Sequence, residues 1–142
     1  MAIRVNPNIF PRAWIGSHKP LPSKKTITEY SINFEEAFSD MVEHGDSTYL
    51  KRLLLDAKEN NVRIRDFRSL KLTSFIEDTK ISAYLYVRDN KASVRISVRS
   101  YHNIDIDGEK IIQNEFKMPE GIQKKVEEIY CMLKEILRAY NE

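Results

Sequence analysis

Residues 80–101 read KISAYLYVRDNKASVRISVRSY, and this stretch decides the fold. Over residues 80–88 the chain alternates. Ile81, Ala83, Leu85 and Val87 fall on one side, and Ser82, Tyr84, Tyr86 and Arg88 fall on the other. A period of two in a run rich in β-branched and aromatic residues is the signature of a strand with one buried face. Asp89-Asn90-Lys91 then supplies turn residues, whose short polar side chains tolerate tight backbone reversals. Over residues 92–101 the alternation resumes, with Val94, Ile96 and Val98 opposite Ser93, Arg95, Ser97, Arg99 and Tyr101. Two such runs joined by a short turn predict an antiparallel β-hairpin with an apolar face and a cationic, phenolic one.

Working outward, residues 71–76 read as a short strand. Residues 103–108 read as a loop or short strand turning at Asp107-Gly108, and residues 110–117, with Ile112 and Phe116, as a last strand. Pro119 suits the first turn of a helix. After it Ile122, Val126, Ile129, Tyr130, Leu133, Ile136, Leu137 and Tyr140 step by three and four. That stripe is wide enough to cover the apolar face of a sheet, and it suits a dimer seam equally well. Upstream, residues 33–44 predict a helix capped by Asn33 with Glu36 reaching back, its apolar face Phe34, Ala37, Phe38 and Met41, ended by Gly45. Residues 48–59 predict a second helix, capped by Asp46 or Ser47, carrying Leu50, Leu53, Leu54 and Ala57 and stopped by Asn60-Asn61. The short link between them predicts a helical hairpin.

Residues 1–28 hold Arg4, Arg12, Lys19, Lys24 and Lys25, no acid, and four of the five prolines. Proline removes a backbone donor, so residues 1–30 read as an extended basic arm. Phe10, Trp14 and Ile15 would pin it as a strap along the domain, or it would touch nucleic acid or a protein partner. The organisation is therefore an arm (1–30), a helical hairpin (31–62) and an antiparallel sheet of about four strands with a long C-terminal amphipathic helix (63–142). The last two parts form one compact α+β domain.

The chain has 142 residues, 42% hydrophobic and 31% charged, with a net charge of +2. That length suits a single domain able to bury a core. No apolar run approaches the roughly 20 residues of a membrane span, and the first residues carry no apolar leader segment. A cytoplasmic protein (nuclear in a eukaryote) with no membrane partner is expected. Cys131 is the one cysteine, which excludes an internal disulfide framework and a cysteine zinc cage. His18, His44 and His102 show no ligand spacing. Glycine-rich phosphate loops and the common hydrolase, metalloprotease and kinase motifs are absent from the sequence. No enzyme, catalytic residue, metal or cofactor is therefore expected.

Weaker signals read blandly. Asp105, Asp107 and Glu109 alternate like metal-loop ligands, but the twelfth position is Phe116, where a calcium loop needs a bidentate Glu. They read as solvated hairpin acids. Asp66, Glu77 and Asp78 lack partners at a nuclease spacing. Cys131 reads as buried packing, and His102 as a solvated strand-end residue.

Residues 63–101 carry nine Lys and Arg against four acids, an excess of five positive charges where the whole chain has two. The outward hairpin face would display Tyr84, Tyr86, Arg88, Arg95, Arg99 and Tyr101, with Lys91 in the turn. Guanidinium groups hold phosphates through charge-assisted hydrogen bonds. Tyrosine rings stack on unpaired bases for about 1–3 kcal/mol each. Such a face suits single-stranded DNA or RNA over a duplex, whose base faces are hidden. Tyr and Arg also suit a protein-binding face, such as that of a small phage or mobile-element inhibitor, and Tyr–Arg pairs are common on solvated sheets.

Residues 86–101 resemble the core of the positive-cofactor-four transcriptional coactivators. The resemblance lies in the Val87-Arg88-Asp89 run, Lys91, the alternating strand and Arg99-Ser100-Tyr101, followed by Gly108-Glu109 and Met118-Pro119. It covers roughly residues 72–140. It implies a curved four-stranded antiparallel sheet followed by a helix, acting as a homodimer that binds single-stranded DNA in transcription, replication or recombination. Arg88 and Arg99 would then contact phosphates, Tyr101 would stack, and Lys91 would add charge. Asn90 and His102 depart from the family at positions where aromatic residues are usual there, as do Ala92 at a turn glycine and Ser93 at a basic position. Tyr84, Tyr86 and Arg95 are the residues available to compensate.

Overall fold

The computed structural model describes residues 23–99, 105–113 and 118–142. Helix α1 spans Lys24–His44 and α2 spans Thr48–Glu59. A single 3-10 turn at Ile64–Asp66 leads into strands β1 (Leu70–Ile76), β2 (Thr79–Arg88), β3 (Lys91–Arg99) and β4 (Asp105–Asp107). A short helix α3 (Gly108–Ile112) and the long helix α4 (Glu120–Tyr140) complete the chain. The strands form an open antiparallel meander in the order β1-β2-β3-β4. The fold is α+β, as the alternation and the helical periodicity predict.

The hairpin forms where it is predicted. Asp89 and Asn90 lie at φ 54° and 65°, the left-handed conformation that a two-residue turn requires at both positions. Register pairs Leu85 with Val94, Ala83 with Ile96 and Ile81 with Val98. On the other side of β2, Leu70 meets Leu85 and Leu72 meets Ala83. These side chains are buried. Helix α1 lies against β1, α4 lies against β3, and α2 packs on both helices. The α4 stripe from Ile122 to Tyr140 is buried within the chain itself. It covers the sheet and is not left over as a dimer seam.

Four expectations are corrected. Helix α1 starts at Lys24, with the Ser23 side chain accepting from the Thr26 N–H at 3.1 Å, so Asn33 is interior and residues 24–30 are helical, not extended. The apolar stripe explains this, since Ile27 and Tyr30 continue the spacing of Phe34 backward, and the Tyr30 and Phe34 rings meet at 5.7 Å. The remaining arm, residues 1–22, lies outside the described residues. Helix α3 takes in residues 110–112, where the start of a strand over 110–117 is predicted. The Asp107 carboxylate caps that turn by accepting from the Glu109 N–H at 3.0 Å, and adjacent Ile111-Ile112 cannot both face inward from a strand. Asp107 and Glu109 are exposed, as solvated acids would be, but they serve as a helix cap and a hydrogen-bond partner at the start of α3 and not in a hairpin loop. Cys131 is exposed on α4, beside the stripe and not in it. Among the described residues no helix is long and apolar enough to cross a membrane.

Candidate nucleic-acid interface

Antiparallel register sets side chains of neighbouring strands in rows across the sheet. On the face away from α1 and α4, one row runs Lys71–Tyr84–Arg95 and the next runs Thr73–Ser82–Ser97. The small row is recessed between longer neighbours. Ser82 is only 5% exposed, and its hydroxyl lies 3.5 Å from that of Thr73. In the long row the Lys71 ammonium stands 5.5 Å and the Arg95 guanidinium 5.0 Å from the centre of the Tyr84 ring. The electron-rich ring attracts both cations, which reach it from the strands on either side.

Strand β1 begins at Leu70, paired with Leu85, so residues 86–88 of β2 extend past it. Val87 is 39% exposed for that reason, although its parity places it with the apolar set. The segment after the 3-10 turn crosses the vacated edge and closes a groove of about 430 Å³. Arg65, Arg68, Tyr84, Tyr86 and Arg95 line it, and among the described residues no carboxylate does. Neither Arg65 nor Arg68 forms an ion pair with a described carboxylate. Tyr86 is 39% exposed, and among the described residues no ring or cation covers it. The groove therefore presents guanidinium donors in a fixed fork geometry beside an uncovered aromatic face.

The sequence-predicted residues do not all gather there. Tyr84, Tyr86 and Arg95 line the groove. Arg88 and Lys91 pair with each other at the hairpin tip, both exposed. Arg99 pairs with Lys80 and Asp105 four residues beyond Arg95, about 13 Å along the strand. Tyr101 and His102 lie outside the described residues. Arg65, Arg68 and Lys71 join the site without having been singled out. All three belong to the basic excess of residues 63–101, and the outward parity of Lys71 on β1 was a signal that could have found it.

Compared with known protein families, curated proteins and solved structures, the chain matches none.

A second groove, of about 630 Å³, is also lined by Tyr86, together with residues of β3 and α4. Strand β4 pairs with Ser97–Arg99, and among the described residues no strand covers the earlier part of the β3 edge. Asn141 closes that edge at Ala92, its side-chain amide accepting from the Ala92 N–H at 2.8 Å and donating to its carbonyl at 3.0 Å. Between this closure and α3, Ser93 faces Tyr130, Lys134 and Arg138 of α4. The Tyr130 hydroxyl donates to Glu109 Oε1 at 2.8 Å. Burial, with that bond second, pushes its pKa up to about 12. Among the described residues no three His, Cys, Asp or Glu side chains gather as a metal-holding group.

Proposed function

We propose that the protein binds single-stranded nucleic acid, DNA by preference, through the groove at the β1–β2 edge, without catalysis, in transcription, replication or recombination. The observation that carries this reading is the groove itself: among the described residues, three guanidinium groups and no carboxylate stand around the uncovered ring of Tyr86. Phosphates would neutralise Arg65, Arg68 and Arg95, and a base would stack on Tyr86. A duplex offers the phosphates but hides the bases, so it would lose the stacking contribution. The resemblance to the positive-cofactor-four coactivators agrees with an Arg/Tyr sheet face. It also implies a homodimer, which would have to use surface other than the α4 stripe, such as that around Phe75, 60% exposed at the end of β1.

The test is fluorescence anisotropy with labelled oligo-dT over a range of salt. Binding weakens with salt, because neutralised phosphates release counterions. Replacing Arg68 and Arg95 together by Ala reduces affinity and flattens the log–log salt slope by about 1.4, two contacts at about 0.7 each. Tyr86→Ala costs about 1–3 kcal/mol of stacking and leaves the slope unchanged. Wild-type affinity in both variants, or equal affinity for duplex and single strand, rejects the reading.

A protein-interaction module is the second reading, favoured by one observation. Ile32 is 57% exposed on α1 among Glu35, Glu36 and Ser39. A basic protein partner seated there would give a stoichiometric complex that survives nuclease treatment, and would leave the anisotropy of oligo-dT unmoved.

A further inference from the structure

We infer that the groove against α4 is the continuation of the same binding path, so that a single strand crosses the sheet over Tyr86 and leaves along Lys134 and Arg138. This inference rests on the single-strand reading above and extends it to a second element of the fold.

Three observations carry it. First, Tyr86 lines both grooves and is shared between them. A base stacked on that ring places its two flanking nucleotides in different grooves. The direction of travel is then across the strands, from β1 over β2 and β3 to α4. Second, the two grooves repeat one device. In the first, Arg95 stands 5.0 Å from the Tyr84 ring; in the second, Lys134 stands 5.2 Å from that of Tyr130. Each groove thus sets an ammonium or guanidinium group beside a phenol ring, which is what a phosphate followed by a base requires. Third, Lys134 and Arg138 are four residues apart on one helix, so their charges lie on the same face, about 6 Å apart along the axis. Both are exposed, and among the described residues the one ion pair they form is Arg138 with Glu135 at 3.1 Å, a surface contact that a phosphate can displace at little cost.

The single acid in the second groove, Glu109, is occupied by the Tyr130 hydroxyl. It holds that ring in place, and it leaves Lys134 and Arg138 as the phosphate-facing charges. The second groove is therefore less positive than the first. It should add affinity only once the strand is long enough to reach it.

The experiment measures affinity for oligo-dT across lengths between about 4 and 16 nucleotides, the range of site sizes for single-strand binders. Three proteins are compared: wild type, the Arg68→Ala/Arg95→Ala variant and a Lys134→Ala/Arg138→Ala variant. Alanine is the best helix former and both α4 sites are solvent-exposed, so the helix variant folds, which circular dichroism checks. The expected result is a length-dependent split. The helix variant matches wild type on the shortest oligomers, loses affinity on the longest, and there has a salt slope lower by about 1.4. The sheet variant loses affinity at every length. If wild type binds no oligomer, the single-strand reading itself fails. If wild type binds and the helix variant equals it at every length, or loses equally at every length, the continuation onto α4 is overturned while the first groove stands.

Discussion

Tyr130 shows how one side chain couples the site to the stability of the fold. Its hydroxyl is half-buried beside the start of α3 and donates to Glu109. Burial is the larger cause and the Glu109 bond the second, and together they raise the phenol from 10.0 to about 12. In the unfolded chain the same group loses its proton near 10. Between those two values the unfolded state has released a proton that the folded state keeps, so stability falls as pH rises. The contribution is complete below pH 10 and lost as pH climbs to about 12. Tyr130→Phe removes this titration together with the hydrogen bond. Its stability is expected to be lower at neutral pH but flatter through the alkaline window, and its absorbance titration should lack the last phenolate to appear. Parallel denaturation curves for variant and wild type across that window would show that Tyr130 does not carry the alkaline dependence.

At the scale of elements, α3 packs tightly on β3 at Gly108. A Cβ placed on Gly108 would come within 2.9 Å of the Ile96 Cβ and 3.1 Å of its carbonyl oxygen. Backbone cannot swing aside, so Gly108→Ala is expected to cost about 1–3 kcal/mol as overpacking, outweighing the gain of about 1 kcal/mol in helix propensity. Gly121, in the first turn of α4, has nothing within 4 Å of such an atom. Gly121→Ala should instead stabilise by about 0.4–1 kcal/mol. Urea midpoints that move in opposite directions check both. The same contact explains what the sequence could and could not disclose. The β2–β3 hairpin was legible because a period of two fixes both register and facing once one side is buried. Helix α2 was legible for the matching reason, an apolar stripe between a polar start and Asn60-Asn61. Helix α3 was not, because its five residues carry no period, and its cap and glycine make sense only against Ile96. The site was half legible. Parity placed Tyr84, Tyr86 and Arg95 on one face, but the groove depends on where β1 stops opposite Leu85, and Arg65 and Arg68 reach it through tertiary contact alone.

Over the whole molecule the fold sorts charge into layers. The outer sheet face carries Lys71, Arg88, Lys91 and Arg95, all exposed. The solvent side of α1 carries Glu29, Glu35, Glu36, Asp40 and Glu43, also exposed, with His44 held 3.6 Å from Asp40 and 3.5 Å from Glu43. A net charge of +2 conceals this asymmetry. Helix α1 lies against the inner face at β1, so the acids on its solvent side sit a full helix diameter, roughly 10–12 Å, and the thickness of the sheet behind any strand bound on the outer face. The Debye length is about 8 Å at 0.15 M salt and about 30 Å at 0.01 M. The acids are therefore screened from the bound strand at physiological salt, yet they orient the approach at low salt, turning the sheet toward a polyanion. The double variant Glu35→Gln/Glu36→Gln is expected to raise oligo-dT affinity at 0.01 M and leave it unchanged at 0.15 M, two conditions set by those screening lengths. An increase that persisted at the higher salt would mean that the strand passes close to α1, and the path across β1, β2 and β3 would then have to be redrawn around the helical side.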